Sequence, residues 1–249
     1  PSIWLAIFSK PDKDNRVAIF YTTDIVDNTA RLLGDEFNHC KNVLRSKPGD
    51  TITLANGKGY VYKGVIDKFL KDSALISIAE SKYFAQENHL HIALAPTKNI
   101  DRMEWFVEKA VEIGIETISF IQTKRSERKH INIERLYKIA VSAMKQSGNA
   151  YLPIINDIVS WDTFLKTTPL PSVRLIAHLI EGEERKTISE LLKNTKETLI
   201  LIGPEGDFMP DEVENALKNN FLPVSLGKSV LRTETAALYA CMAYSLGKS

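Results

Sequence analysis

The sequence is poor in the features that usually announce a function. It has only two cysteines, Cys40 and Cys241, far apart and without a Cys-x-x-Cys pair. That argues against a zinc site or a redox dithiol and for a reducing, cytoplasmic setting. Charge of one sign is also missing. The formal net charge is +1, so no global field draws the protein to nucleic acid or membranes, and any basic surface must be local. No apolar run approaches the roughly 20 residues that span a bilayer, so no membrane partner is expected. The opening PSIWLAIFSK lacks a basic leader and a small-residue cleavage site and does not read as a signal peptide. There is no Gly-x-Gly-x-x-Gly opening a helix after a strand, no Gly-x-Ser-x-Gly and no His-Glu-x-x-His. Gly227-Lys228-Ser229 resembles the end of a phosphate loop, but the glycine required five residues before Gly227 is Leu222. His89 and His91 alternate on a strand without a third ligand nearby. They read as structural, and no metal site is expected.

What is present is a chain of 249 residues, 44% hydrophobic and 25% charged, long enough for one large domain or two smaller ones. Residues 1–82 form a β-rich stretch. TITLANGKGYVYKGVI (51–66) holds two strand-like runs around Asn56-Gly57-Lys58-Gly59, a hairpin signal. Before it, DEFNHCKNVLRSKPGD (35–50) reads as a helix ended by Pro48-Gly49, with Lys41, Arg45 and Lys47 along it. From residue 83 the pattern alternates. Strands are expected at 89–96, 115–123, 173–180, 197–203 and 222–227. Helices are expected at 99–114, with Asp101 as its cap, and at 131–148, 210–220 and 233–247. Near-continuous apolar strands alternating with helices predict an α/β unit over 83–249, a parallel sheet with helices on both faces. Glu104, Glu108 and Glu112 lie four apart and read as a solvated helix face. The last helix is apolar or small nearly all round, which predicts burial in the core or under a second subunit.

Three strand exits carry chemistry. In LIGPEG, Gly203 and Gly206 permit close approach of a ligand to the backbone, and Pro204 fixes the path. In SLGKSVLRTETA (225–236), another glycine precedes Leu231-Arg232-Thr233-Glu234-Thr235 at a helix start. In LIAHL (175–179), the strand ends at His178. In an open α/β sheet, ligands bind beyond the carboxyl ends of strands. A pocket made of these exits has apolar walls and free backbone amides, and suits a planar base better than a triphosphate. Two local basic clusters, TKRSERKH (123–130) and Lys41, Arg45 and Lys47, suit an anionic polymer.

On these residues the chain resembles the RsmE-type methyltransferases of the SPOUT superfamily. The resemblance runs nearly end to end and is carried by HCKNVLRSKPGD (39–50), KNIDRMEWFVEKAVEIGI (98–115), KRS (124–126), KQSG (145–148), LIGPEG (201–206) and SLGKSVLRTETA (225–236). It implies a small N-terminal PUA-like β-barrel over 1–82 that helps hold RNA. Over 83–249 it implies an α/β methyltransferase domain tied in a deep trefoil knot, which binds S-adenosylmethionine, forms a homodimer and methylates N3 of a uridine in small-subunit (16S) ribosomal RNA. Periodicity does not reveal a knot, and general fold rules argue against one. The implied cofactor-binding residues are His178, Leu201, Ile202, Gly203, Pro204, Gly206, Leu226, Gly227, Val230, Leu231 and Thr235. The implied RNA contacts are Lys41, Arg45, Lys47, Arg125 and Arg128. The sequence departs from the family pattern at Asp207, Phe208 and Met209, where a second glycine and Phe-Ser are usual, and at Lys124, Lys145 and Asn149. Asp207 brings a carboxylate to the rim of the pocket.

For that reaction Arg232 is the expected catalytic cation, placed to stabilise charge developing on the uracil oxygens. Glu205 or Glu234 is expected to orient it or to take the proton from N3; Glu234 also reads as a simple first-turn carboxylate. Two other readings stay open at this point. One is an enzyme of the same superfamily acting on another RNA such as transfer RNA. The other is an RNA-binding module without catalysis, which would not bind S-adenosylmethionine.

Overall fold

The computed structural model describes residues 18–87, 89–179, 185–193, 195 and 197–247. The N-terminal stretch tested above as a signal peptide, and the last residue of the strand expected over 173–180, lie outside them. The chain divides into two compact units. One is built from the residues up to Gln86 together with Val141–Leu152, the other from Glu87–Ala140 and Pro153–Ser249.

The first unit is a six-stranded sheet in the order β1-β4-β5-β6-β3-β2. Its strands are β1 (Ile19–Tyr21), β2 (Ile25–Val26), β3 (Thr29–Leu33), β4 (Thr51–Ala55), β5 (Tyr60–Phe69) and β6 (Ser73–Tyr83). β4 and β5 are the two arms of the expected hairpin, and Gly57 and Gly59 take the positive φ its turn requires. A short helix, α1 (Gly34–Asn38), runs directly into a π-helical turn, His39–Val43. Phe37 and Cys40 of this segment join the core with Phe20, Leu32, Leu54, Ile66 and Ile76. Burial raises the pKa of the Cys40 thiol and makes it inert. The single helix expected over 35–47 is thus two short turns of different pitch. Arg45, in the left-handed region at φ 55°, ends them before Pro48 does.

The second unit is a seven-stranded, wholly parallel sheet in the order β11-β13-β10-β12-β7-β8-β9. The strands are β7 (His89–Leu94), β8 (Thr117–Gln122), β9 (Ile154–Ser160), β10 (Val173–Ala177), β11 (Lys186–Thr187), β12 (Glu197–Ile202) and β13 (Leu222–Ser225). The helices are α2 (Ile100–Ile113), α3 (Ile133–Ser147, whose C-terminal part belongs to the first unit), α4 (Trp161–Thr167), α5 (Ile188–Leu191), α6 (Pro210–Lys218) and α7 (Thr233–Leu246). The central strands are buried on both faces, which is why they read as unbroken apolar runs. A core of Ile121, Trp161, Phe164, Ile176, Leu199, Leu201, Phe208 and Phe221 lies on one side.

Several local expectations change. The cap of α2 is Asn99, whose side chain accepts from the Asp101 N–H at 3.0 Å. β9 and α4 went unread, because the burial of β9 neither alternates nor runs on. The three glutamates of α2 are partnered rather than merely solvated. Glu104 meets Arg135 at 2.6 Å, while Glu108 and Glu112 close on Lys109 at 2.8 and 2.9 Å. α7 is not buried all round within one chain. Ala236, Ala237, Ala240, Cys241 and Tyr244 are buried, but Tyr239, Met242 and Leu246 face outward.

The two histidines of β7 have structural partners. His89 Nδ1 lies 3.1 Å from Glu116, and His91 Nε2 lies 2.7 Å from Ser119 Oγ. Ser119 Oγ also accepts from Asn156 Nδ2 at 2.9 Å, which leaves its own proton for His91. Burial lowers the His91 pKa from 6.5 to about 4, so the folded protein keeps the ring neutral. The unfolded chain takes up that proton first as pH falls, so stability is lost between about 6.5 and 4. At about 1.4 kcal/mol per pH unit the loss is about 3 kcal/mol. In urea titrations across this window, His91→Gln should remove that part of the acid destabilisation. Parallel pH profiles for the variant and the parent would refute the assignment.

Candidate functional site

β13, β10 and β12 are neighbours, with Ala177 level with Val224 on one side and with Ile202 on the other. Their carboxyl ends therefore open side by side. The loops that leave them enclose a cavity of about 620 Å³, within the usual range for small-molecule sites. The three glycine- and histidine-bearing exits read from the sequence thus converge, at the place where open α/β sheets bind ligands.

The walls are set by the loop after β12. Gly203 is buried, and a Cβ there would come within 3.1 Å of the Phe208 ring, which packs against Trp161 in the core. The glycine thus lets the chain turn over its own core. Its carbonyl accepts from Thr233 Oγ1 at 2.9 Å, which ties the β12 exit to the start of α7. The residue with positive φ in this turn is Asp207, at 61°, not Gly206. Asp207 N–H donates to the Pro204 carbonyl at 2.9 Å, and its Oδ2 accepts from Leu179 N–H at 2.9 Å. Asp207 thus links the loop to the β10 exit. At Gly206 a Cβ would meet only the flexible Arg125 side chain, at 3.3 Å.

Of the residues expected to hold a cofactor, His178, Ile202, Gly203, Pro204, Leu226, Gly227, Val230 and Leu231 line the cavity. Leu201 does not: it is fully buried in the sheet core. Gly206 and Thr235 are exposed and off the wall. Among the expected catalytic residues, Arg232 and Glu205 line the cavity, and Glu234 is buried behind it at 6% exposure.

Among the described residues neither of the two carboxylates forms an ion pair with Arg232. They converge on Arg102, in the first turn of α2, whose guanidinium is 3.7 Å from Glu234 and 4.0 Å from Glu205. Glu205 also accepts from Lys98 N–H at 3.3 Å. The other oxygen of Glu234, Oε2, is buried without a hydrogen-bond partner among the described residues. Sequence reasoning missed Arg102. A signal existed, since a cation in the first turn opposes the helix dipole and implies a specific anionic partner.

The basic cluster after β8 is largely spent on the same loops. Arg125 donates to the Gly206 carbonyl. Arg128 donates to the carbonyls of Thr97 at 3.0 Å and Lys98 at 2.5 Å. Lys124 N–H donates to Glu212 at 2.8 Å, and its ammonium pairs with Asp211, which raises the lysine pKa and lowers the aspartate's. In the first unit Lys41, Arg45 and Lys47 are exposed, and none forms an ion pair among the described residues. The two glycines should therefore behave differently. Gly203→Ala should cost about 1–3 kcal/mol of stability through overpacking against Phe208, whereas Gly206→Ala should stay within about 0.5 kcal/mol. Equal denaturation midpoints for the two variants would contradict this account of the loop.

Comparison with known proteins agrees with this geometry. Residues 85–245 match the family of the RNA methyltransferase domain, and residues 32–78 match the RNA methyltransferase PUA domain. The chain is 32% identical, over 89% of its length and 92% of the relative's, to the ribosomal RNA small subunit methyltransferase E of Rickettsia conorii. It superposes on a probable rRNA-methyltransferase from Porphyromonas gingivalis with a TM-score of 0.84 and 44% identity, covering 90% of this chain and 95% of that one. It also superposes on a ribosomal RNA small subunit methyltransferase E from Neisseria gonorrhoeae bound to S-adenosyl methionine, with a TM-score of 0.80 and 27% identity over 91% and 96% of the two chains. The chain belongs to the RNA methyltransferase family that residues 85–245 match, within the group of ribosomal RNA small subunit methyltransferase E proteins.

Proposed function

We propose that the protein transfers a methyl group from S-adenosylmethionine to N3 of a uridine in small-subunit (16S) ribosomal RNA. The observation that carries this reading is the cavity of about 620 Å³ built from three adjacent strand exits, in a chain of this family. The residues fit such a cofactor. Ile202, Leu226, Val230 and Leu231 offer apolar wall for an adenine ring, and the loops around Gly203 and Gly227 offer main-chain groups. When bound, the cofactor supplies an electrophilic methyl group on a sulfonium.

The chain's own residues handle charge and position. N3 of uridine carries a proton that must leave as the new N–C bond forms. Arg232, at the rim, stabilises the negative charge that then spreads to the uracil oxygens. Glu205, on the cavity wall, is placed to accept the proton, and Arg102 holds Glu205 and Glu234 in one arrangement. Positioning supplies much of the remaining rate.

The same reading assigns 1–82 as a PUA-like β-barrel domain that holds RNA through Lys41, Arg45 and Lys47, and 83–249 as a SPOUT methyltransferase domain. Arg125 and Arg128 contribute to RNA binding with the N–H groups left over from bracing the loops. Leu201 backs the cavity from the sheet core, while Gly206 and Thr235 stay outside its wall. The same reading assigns a deep trefoil knot to this domain. After β13 the chain returns through 226–232 to lay α7 on β7 and β12, where Tyr244 Oη accepts from His89 N–H at 3.1 Å. A homodimer is supported by the outward Tyr239, Met242 and Leu246 of α7, an apolar face that a two-fold partner buries twice. The site of action is the cytoplasm, where ribosomal RNA is the substrate or the small subunit containing it. Among the described residues no helix is long and apolar enough to cross a membrane.

Calorimetry should show binding of S-adenosylmethionine, and incubation with small-subunit ribosomal RNA or intact small subunits should yield 3-methyluridine. Arg232→Ala should lower kcat by about 10²–10³-fold with cofactor affinity unchanged. A different methylated nucleoside, or none, would overturn the reading. Because Met242 is half exposed, Met242→Asp should leave the monomer folded, yet sediment as a monomer and lose methylation. A wild-type protein that sediments as an active monomer would rule out the dimer.

A further inference from the structure

The segment that joins α1 to β4 has a feature that neither the cavity nor the fold uses. Val43 and Leu44 are apolar, yet 67% and 45% exposed. Phe37 and Cys40, two turns and one turn earlier, are buried in the core. The core is therefore complete without the tip.

The tip is held in a costly shape. α1 continues as a π-helical turn, His39–Val43, and Arg45 takes the left-handed region at φ 55°. π-turns and left-handed non-glycine residues both gather at functional sites. The shape is locked from within. Leu44 N–H donates to the His39 carbonyl at 2.9 Å, Ser46 N–H to the Cys40 carbonyl at 3.1 Å, and Lys47 N–H to Asp50 at 2.7 Å. The Lys41 ammonium sits 5.3 and 5.6 Å from the ring centroids of Phe37 and Phe69, which fixes its stem.

Around this apolar pair lie Lys41, Arg45 and Lys47, within four residues on either side. A rigid apolar point ringed by cations complements one class of partner closely, a polyanion with flat apolar faces inside it. We propose that Val43 and Leu44 form an apolar wedge that packs against nucleobases of the RNA substrate and takes the place of a lost stacking contact, while Lys41, Arg45 and Lys47 hold the flanking phosphates. The inference rests on the reading of RNA as substrate. Its chemical motive is that N3 lies on the pairing edge of uracil, so a paired uridine must be released before it can react. Apolar side chains set at a base step lower the cost of such opening.

The test compares two RNA substrates with the full-length protein: folded small-subunit ribosomal RNA, and a short unstructured oligonucleotide carrying the same uridine. Val43→Ser with Leu44→Ser should reduce kcat/KM on the folded RNA by about tenfold or more, with less than a twofold effect on the oligonucleotide. Cofactor affinity, sedimentation and melting temperature should match the parent, since both side chains are exposed. The slope of RNA affinity against salt should also be unchanged, whereas Arg45→Gln with Lys47→Gln should flatten it. An equal loss on both RNAs, no loss on either, or a changed oligomeric state would each overturn the wedge. If the double serine variant melts lower, Leu44→Ser alone must show the same selectivity, or the proposal fails. Failure of the wild-type protein to methylate either RNA would instead strike the functional reading itself.

Discussion

The site depends on one constraint, the position of β12 between β7 and β10 in a parallel sheet. Parallel pairing forces the carboxyl ends to one edge, and burial on both faces fixes the register. With β13 on the far side of β10, three exits that are distant in sequence become adjacent loops. If β12 slipped by one residue, Leu199 and Leu201 would be turned from the face they fill to the opposite one, and the Gly203 carbonyl would no longer meet Thr233. Core packing and the cavity wall are thus set by the same strand pairing.

The loops at that edge carry little secondary structure, and a set of polar ties holds them. Thr233 ties the β12 exit to α7, Asp207 ties it to the β10 exit, and Lys98 ties it to the β7 exit through Glu205. Arg125 and Arg128 clamp the outside by donating to main-chain carbonyls. These carbonyls belong to irregular backbone, which otherwise depends on water for partners. Arg102 faces two carboxylates at the site, and it holds them at 3.7 and 4.0 Å rather than in tight hydrogen bonds. Together with the unpartnered oxygen of Glu234, this leaves the acidic pair short of full satisfaction. Such groups are expected where a substrate completes the hydrogen bonding.

Much of this was legible in the sequence where one physical signal dominated. The central strands of the second unit are apolar runs, the helices 99–114, 131–148 and 210–220 show a clear period, and the strand-exit glycines Gly203 and Gly227 mark the cavity. What stayed hidden depended on several residues at once. β9 is an edge strand with mixed burial, so no period marks it. Leu201 is implied as a cofactor contact by the family resemblance, but its place on β12 puts it in the core. The π-turn at His39–Val43 begins where Phe37 and Cys40 enter the core, and local propensity does not encode it. Arg128 looked like a phosphate ligand because its neighbours are basic, and only the fold shows its carbonyl partners.

Those partners also explain how a protein with net charge +1 can be built for an anionic polymer. Cations in the second unit are largely consumed by carboxylates and carbonyls, as Lys124, Arg125, Arg128 and Arg135 show. They set loop geometry, and the carboxylate partners of Lys124 and Arg135 offset those two charges locally. On the first unit Lys41, Arg45 and Lys47 are exposed and pair with no carboxylate among the described residues. A few uncompensated charges on a neutral background attract phosphates over about a Debye length, roughly 8 Å at physiological salt. Attraction of that range favours contact at one patch rather than adhesion everywhere. An enzyme that must find one nucleotide in a long RNA gains from this, because nonspecific binding of the whole surface would slow release from every wrong site.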